Sequence, residues 1–282
     1  MSREVKAPVR PPNALWSLTD GGRATGELAW FAWSAPWLAT REHRGDGRPV
    51  LVLPGFLAGD GTTVPLRRML GRHGYFVYGW GQGRNLGPTP EAVDGLEALF
   101  REIRDEHDGA PVSLIGQSLG GIFALELARR FPGDVDRIIS LGSPVSVTSP
   151  DQSRAKFMYS RMAERHLPEL EFSRWTQAPL PEVRATSIFS RLDGICRWET
   201  CLYPRTPLTE NIEVYSSHLG MAVQPAALYA TLDRLAAPLD EWAPFDPPCA
   251  LRSAYPGLRD PMYLSEDVSA GDVGWEPQRR VG

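Results

Sequence analysis

The sequence predicts a mostly parallel β-sheet with helices on both faces, an α/β architecture. Three observations carry this. Six short apolar runs recur between residues 49 and 216 without polar alternation, as expected of strands buried on both faces. Most are separated by segments long enough for a crossover helix, which a parallel pair requires. One run stops on a Gly-x-Ser-x-Gly pentapeptide, and a helical pattern begins directly behind it.

In chain order, residues 1–14 are proline-rich and polar and read as an irregular tail. Then comes "ELAWFAWSAPWLAT", in which Trp30, Trp33 and Trp37 share one helical face. That stripe fits a packed core, an acyl pocket or a peripheral membrane contact. The first strand is "PVLVLP" from Pro49, followed by a helix over 62–72 and the strand "YFVYGW" from Tyr75. Thr89 is an N-cap and Pro90 a first helical residue, which opens a helix over 90–107. "VSLIGQ" from Val112 is the third strand, and the helix over 119–131 must stop near Pro132-Gly133. "DRIISLG" from Asp136, "ATSIFS" from Ala185 and "IEVYS" from Ile212 complete the strands, and a helix follows over 225–235. The insertion 143–184 contains "KFMYSRMAERHLPELEF", where Phe157, Met158 and Met162 form one apolar side of either a lid or a permanently packed helix. The expected organisation is an N-terminal tail and aromatic-rich helical segment over 1–48, the α/β domain over 49–242, and an irregular C-terminal tail over 243–282.

The 282 residues carry a net charge of −4 with no run of lysines or arginines, which argues against nucleic-acid partners. Three cysteines, Cys196, Cys201 and Cys249, show no metal-like spacing; a Cys196–Cys201 bridge is left open. Neither a secretory signal nor a membrane-spanning stretch is read, so a cytoplasmic protein with at most peripheral membrane contact is expected. No repeat of solenoid length is present.

The pentapeptide around Ser118 gains meaning from its flanks. A strand before it and a helix after it force a sharp turn that lifts the serine hydroxyl above the sheet edge. Gly116 and Gly120 leave room for that turn. The helix from Leu119 aims its N-terminal amides and positive dipole end at whatever bonds to Ser118.

A serine nucleophile needs a base. Of five histidines, His43, His73, His107 and His166 sit where an ordinary surface histidine is expected. His218 instead follows "IEVYS", on a loop at the same sheet edge as Ser118. The acid that orients it should follow another strand lying between the two in the chain. Asp193, in "SRLDG" just after "ATSIFS", fits best. Asp134 and Asp136 precede a strand, and Asp151 has no strand just before it. The turn "LPGFL" after the first strand offers the Phe56 amide as a second oxyanion donor beside that of Leu119. "GRNLGP", residues 83–88, follows another strand end and lies where it could touch substrate.

With these parts in place, residues 49–236 resemble the α/β-hydrolase superfamily, and within it the small bacterial triacylglycerol lipases and esterases. "VLVLPGF", "LIGQSLGG", "IISLGSP", "TSIFSRLDGI" and "NIEVYSSHLGM" fall in that family's order. The resemblance implies Ser118 as nucleophile, Asp193 as orienter, His218 as base and Phe56 with Leu119 as oxyanion donors. Pro54-Gly55 stands where family members commonly carry His-Gly. The expected activity is cofactor-independent and metal-independent hydrolysis of a small-molecule carboxylic ester with an apolar acyl chain. An acyltransferase using the same triad is the alternative, and a non-catalytic lipid-binding protein on this fold is a third.

Overall fold

The computed structural model describes residues 10–40, 45–146, 150–155, 180–239 and 243–259. Six strands form one all-parallel sheet: β1 (Pro49–Leu53), β2 (Phe76–Gly79), β3 (Val112–Gln117), β4 (Val135–Leu141), β5 (Arg184–Phe189) and β6 (Thr209–Glu213), in the order β2-β1-β3-β4-β5-β6. The helices are α1 (Ala14–Ala39), α2 (Asp60–Arg72), α3 (Pro90–Glu106), α4 (Leu119–Arg130) and α5 (Pro225–Ala236). This is the α/β-hydrolase fold expected from the sequence.

Alternation along the strands explains the two layers. Val50 and Val52 of β1 pack with α2 and α5 side chains such as Leu66, Leu70, Leu228 and Leu232. Leu51 and Leu53 point to the other face, against Leu96 and Phe100 of α3 and Ile122 and Phe123 of α4. Each such fully buried side chain contributes roughly 1.5–3 kcal/mol. The chain runs from β1 outward to β2 and then back to β3 on the other side of β1. That reversal leaves a crevice beyond the carboxyl ends of β1 and β3, the place where such sheets bind ligands.

Three elements differ from the sequence reading. Only the aromatic half of α1 was expected, yet the helix begins at Ala14, where the Asn13 side chain accepts the Leu15 amide at 2.9 Å. Its interior glycines and its inward face disguise it. The buried residues are Asp20, Ser34 and Leu38, while Leu18 and Trp33 are 87% and 81% exposed, so the N-terminal half shows no inward apolar period and the core contacts come from Phe31, Ala35 and Leu38 near the other end. Trp30 and Trp37 are exposed as well, with Trp37 stacked on Tyr229, so the tryptophan stripe is not a packed core. Strand β6 starts at Thr209, three residues earlier than the apolar run; its polar Asn211 is held by side-chain hydrogen bonds to Tyr203 N–H and C=O.

Finally, residues 243–259, the described part of the irregular tail expected over 243–282, are packed on the body. They form two 3₁₀ turns, Cys249–Ala254 and Pro256–Arg259, and bury Phe245 and Tyr255 against α5, with the Tyr255 hydroxyl donating to Ala226 C=O. Cys196, Cys201 and Cys249 are free thiols, so the bridge left open by the sequence is absent. The proposed lid helix with Phe157, Met158 and Met162 lies outside the described residues.

Candidate active site

Ser118 connects β3 directly to α4, and the connection is strained. Its φ of 52° and ψ of −119° lie where non-glycine residues are rare, at an energy of order 1–3 kcal/mol. The neighbours make this turn sterically possible. A Cβ on Gly116 would collide with the Gly120–Gly121 peptide, and one on Gly120 with the carbonyl of Leu53. The Ser118 amide continues the sheet by donating to Leu141 C=O at 2.9 Å, so the corner is pinned on its strand side.

Two loops at the same edge bring the remaining groups. Nε2 of His218 lies 2.9 Å from Ser118 Oγ, and its Nδ1 lies 2.6 Å from Asp193 Oδ2. Asp193 is buried, and its other oxygen accepts the amides of Ile195 at 2.8 Å and Cys196 at 2.7 Å. That leaves one carboxylate oxygen for the imidazole and fixes the side chain in a turn. Burial alone would depress the charged imidazole of His218, but the charge and hydrogen bond of Asp193, joined by the charge of Asp20, outweigh it and hold its pKa above 6.5. Burial pushes the Cys196 and Cys201 thiols well above their ordinary range, so neither is a competing nucleophile under neutral conditions.

The other acids and histidines are placed elsewhere. Asp134 pairs with Arg104, and Asp136 accepts from Ser113 Oγ and Arg48 at the amino end of the sheet. Asp151 lies in the 3₁₀ turn Pro150–Gln152. The ring of His73 faces the carbonyls of Met69 and Leu38, and that of His107 meets Tyr78. His43 and His166 lie outside the described residues.

The turn after β1 passes against the serine: a Cβ on Gly55 would stand 3.2 Å from that of Ser118. The Gly55 carbonyl accepts the Ala58 amide, so the Phe56 N–H, trans to it in the same peptide, points out of the turn. Leu119 is the first residue of α4, where backbone amides lack intrahelical partners. Pro54 provides none of the side-chain hydrogen bonding a histidine could, and Asn85 fills that need. Fully buried, it donates from Nδ2 to Pro54 C=O at 2.9 Å, and its backbone exchanges hydrogen bonds with Leu57 and Ala58. The stretch "GRNLGP" thus braces the turn through Asn85.

Sequence reasoning missed other supports. Gln117 donates to the carbonyls of His218 and Leu219, Ser190 Oγ accepts the Ser216 amide, and Asp20 and Glu27 of α1 reach both loops. Gln117, Ser190, Ser216 and Glu27 stood in stretches the sequence singles out, without a sign of these contacts, and Asp20 stood outside all of them. Among the described residues, no cluster of three His, Cys, Asp or Glu side chains could hold a metal ion, and no helix is long and apolar enough to cross a membrane.

Comparison with known proteins agrees with the architecture. The chain is 16% identical to lipase B of Aspergillus fumigatus with a TM-score of 0.54, over 71% of this chain and 55% of that one. It is also 16% identical to a structure of the metagenome-derived lipolytic enzymes LipS and LipT, with a TM-score of 0.52 over 68% and 94% of the two chains. At these identities the likeness is one of fold. A pimeloyl-[acyl-carrier protein] methyl ester esterase of Aromatoleum aromaticum is 41% identical over 78 residues, which span 27% of this chain and 28% of that protein. The family model described as serine aminopeptidase, S33, matches residues 48–193, more than half of the chain. The chain therefore belongs to the serine aminopeptidase S33 family, within the α/β-hydrolase superfamily.

Proposed function

We propose that the protein is a serine esterase that cleaves carboxylic esters through Ser118, His218 and Asp193. The observation that carries the reading is the continuous pair of hydrogen bonds from Ser118 Oγ through the imidazole to Asp193, at 2.9 and 2.6 Å. The named methyl ester esterase, similar over 78 residues, supports an ester as the substrate class.

In this mechanism neutral His218 takes the Ser118 proton at Nε2 as Oγ attacks the ester carbonyl. Asp193 holds the Nδ1 proton and stabilises the imidazolium that forms. The Phe56 and Leu119 amides receive the oxyanion, an arrangement in which removal of one donor typically raises the barrier by about 2.7–4 kcal/mol. The tetrahedral intermediate collapses as His218 protonates the departing alcohol, leaving an acyl-enzyme on Ser118. Water, deprotonated by His218, then releases the acid and restores Ser118. Phe56 and Leu57, half-buried, and Leu219, 58% exposed, adjoin the reacting groups in the chain and suit an apolar acyl portion.

The test is a panel of p-nitrophenyl esters from acetate to octanoate run beside aminoacyl p-nitroanilides. The reading expects ester cleavage, with kcat/KM rising along the acyl series, and little anilide cleavage. Anilide cleavage exceeding that of every ester would replace it with a peptidase. Acyl transfer to an added alcohol in preference to water would replace it with an acyltransferase.

A further inference from the structure

Helix α1 turns its charged residues Asp20, Arg23 and Glu27 toward the protein and leaves Leu18, Trp30 and Trp33 exposed, while Phe31, Ala35 and Leu38 near its C-terminal end pack on the core. An inward carboxylate at 1% exposure, such as Asp20, needs dedicated partners. It has three backbone amides, and all belong to the two loops of the site. Oδ2 accepts from Gly194 N–H at 3.1 Å and from His218 N–H at 3.0 Å, while Oδ1 accepts from Leu219 N–H at 3.0 Å.

About two turns further on, Glu27 accepts the Ser217 amide at 2.7 Å and the Ser217 hydroxyl. Arg23 pairs with Asp20 and donates to Leu192 C=O at 2.9 Å. The peptide groups on both sides of Asp193 and of His218 are therefore gripped by a single helix. The close approach is built in, because a Cβ on Gly194 would strike the Trp16 carbonyl and one on Gly220 the Glu27 carboxylate.

We propose that Asp20 and Glu27 are positioning residues for the reaction, holding the Asp193 and His218 loops in register with Ser118. The inference rests on the triad assigned under the proposed function and extends it to α1, which lies outside the residues matched by the family. Asp20 acts in two ways. Its hydrogen bonds set the backbone from which the imidazole projects, and its negative charge favours the imidazolium that forms during attack. The ionisable groups around it are Asp193 and Cys196 from the acid loop, His218 itself, and Arg23 and Glu27 from α1. Of these, only Asp193 and Asp20 act on His218 as anions.

The experiment compares Asp20→Asn, Glu27→Gln and, as a control on the outward face of the same helix, Leu18→Ser, using p-nitrophenyl butyrate across pH in folded protein. Asp20→Asn removes one charge and turns an N–H donor toward amides that need an acceptor. Its kcat is expected to fall about 100-fold with KM little changed, the size of effect that small misplacement produces. The acid-side inflection of kcat/KM should also move down by about 1 pH unit. Leu18→Ser should keep wild-type values for both.

A helix that served stability alone would lower the melting temperature and leave kcat and the inflection of the folded protein unchanged, and that result overturns the proposal. If Asp20→Asn does not fold, Glu27→Gln decides: a lowered kcat at constant KM supports the proposal and a wild-type kcat overturns it. Asp193→Asn, run in parallel, separates the two levels. Loss of activity there with none in the α1 variants discards the positioning role and keeps the triad, whereas full activity in Asp193→Asn discards the triad itself.

Discussion

Asp193 divides its carboxylate between two tasks, one oxygen accepting the amides of Ile195 and Cys196 and the other facing Nδ1 of His218 at 2.6 Å. The division makes the side chain rigid and leaves the imidazole one available tautomer, with the proton on Nδ1 and the lone pair of Nε2 toward Ser118. In Asp193→Asn an amide replaces the oxygen facing Nδ1 or those facing the two amides, and either arrangement spoils one of the tasks. Turnover is expected to fall by about four orders of magnitude with the fold retained. Asp151→Asn, which removes the same charge from the turn Pro150–Gln152, should change ester turnover little. Steady-state kinetics with circular dichroism on both variants makes the comparison.

The His218–Asp193 pair also sets the pH dependence. The imidazolium is held above 6.5, and the base is needed neutral, so kcat/KM should rise with pH and level off through an inflection higher than that of a free imidazole. Stability runs the other way. The ionised pair contributes fully below the unfolded value near 6.5, and its contribution fades as pH rises through the higher folded value. A pH–rate profile and melting curves between pH 5 and 9 check both signs; an inflection below 6.5 would contradict the arrangement.

The strain at Ser118 has a measurable consequence. At φ 52° both serine and alanine are strained, whereas glycine is not. Relief of strain, about 1–3 kcal/mol, should exceed the extra freedom glycine gains in the unfolded chain, about 0.4–1 kcal/mol. Ser118→Gly is therefore expected to be more stable than Ser118→Ala by about 1 kcal/mol, with both inactive. Urea denaturation of the two variants gives the difference directly, and equal midpoints would show an unstrained turn.

Asn85 offers a fourth test. Its buried amide donates to Pro54 C=O, and truncation leaves that carbonyl unsatisfied, worth about 1–3 kcal/mol of stability. Because the same turn carries Phe56, Asn85→Ala should lower kcat more than it raises KM. A variant with normal kcat would detach Asn85 from the oxyanion turn and leave it a purely structural brace.

Much of this site was legible in the sequence because its parts lie where local rules apply. The β3–Ser118–α4 corner declares itself by an apolar run, two glycines and a helical period in twenty consecutive residues, and Asp193 and His218 each follow a recognisable strand. What stayed hidden depends on distant partners. Asp20 meets His218 across 198 positions of chain, and the half of the helix carrying it shows no inward apolar stripe because its inward residues, Asp20, Arg23 and Glu27, are charged. Phe245 and Tyr255 were hidden for a similar reason: they stand in a Pro-rich stretch with no period, and only packing against α5 reveals them as core. Asn85 was visible as a polar residue in the stretch that follows a strand end, but its partner Pro54 follows β1, a different strand.

The central claim is that Ser118 is the attacking nucleophile, and a fluorophosphonate ester tests it most directly, since it bonds covalently to an activated serine. After reaction, digestion and mass spectrometry, the account predicts one adduct, on the peptide containing Ser118, formed in step with loss of ester hydrolysis and absent from folded Ser118→Ala. An adduct on a different residue, or a Ser118→Ala protein that still labels and turns over ester, would contradict it.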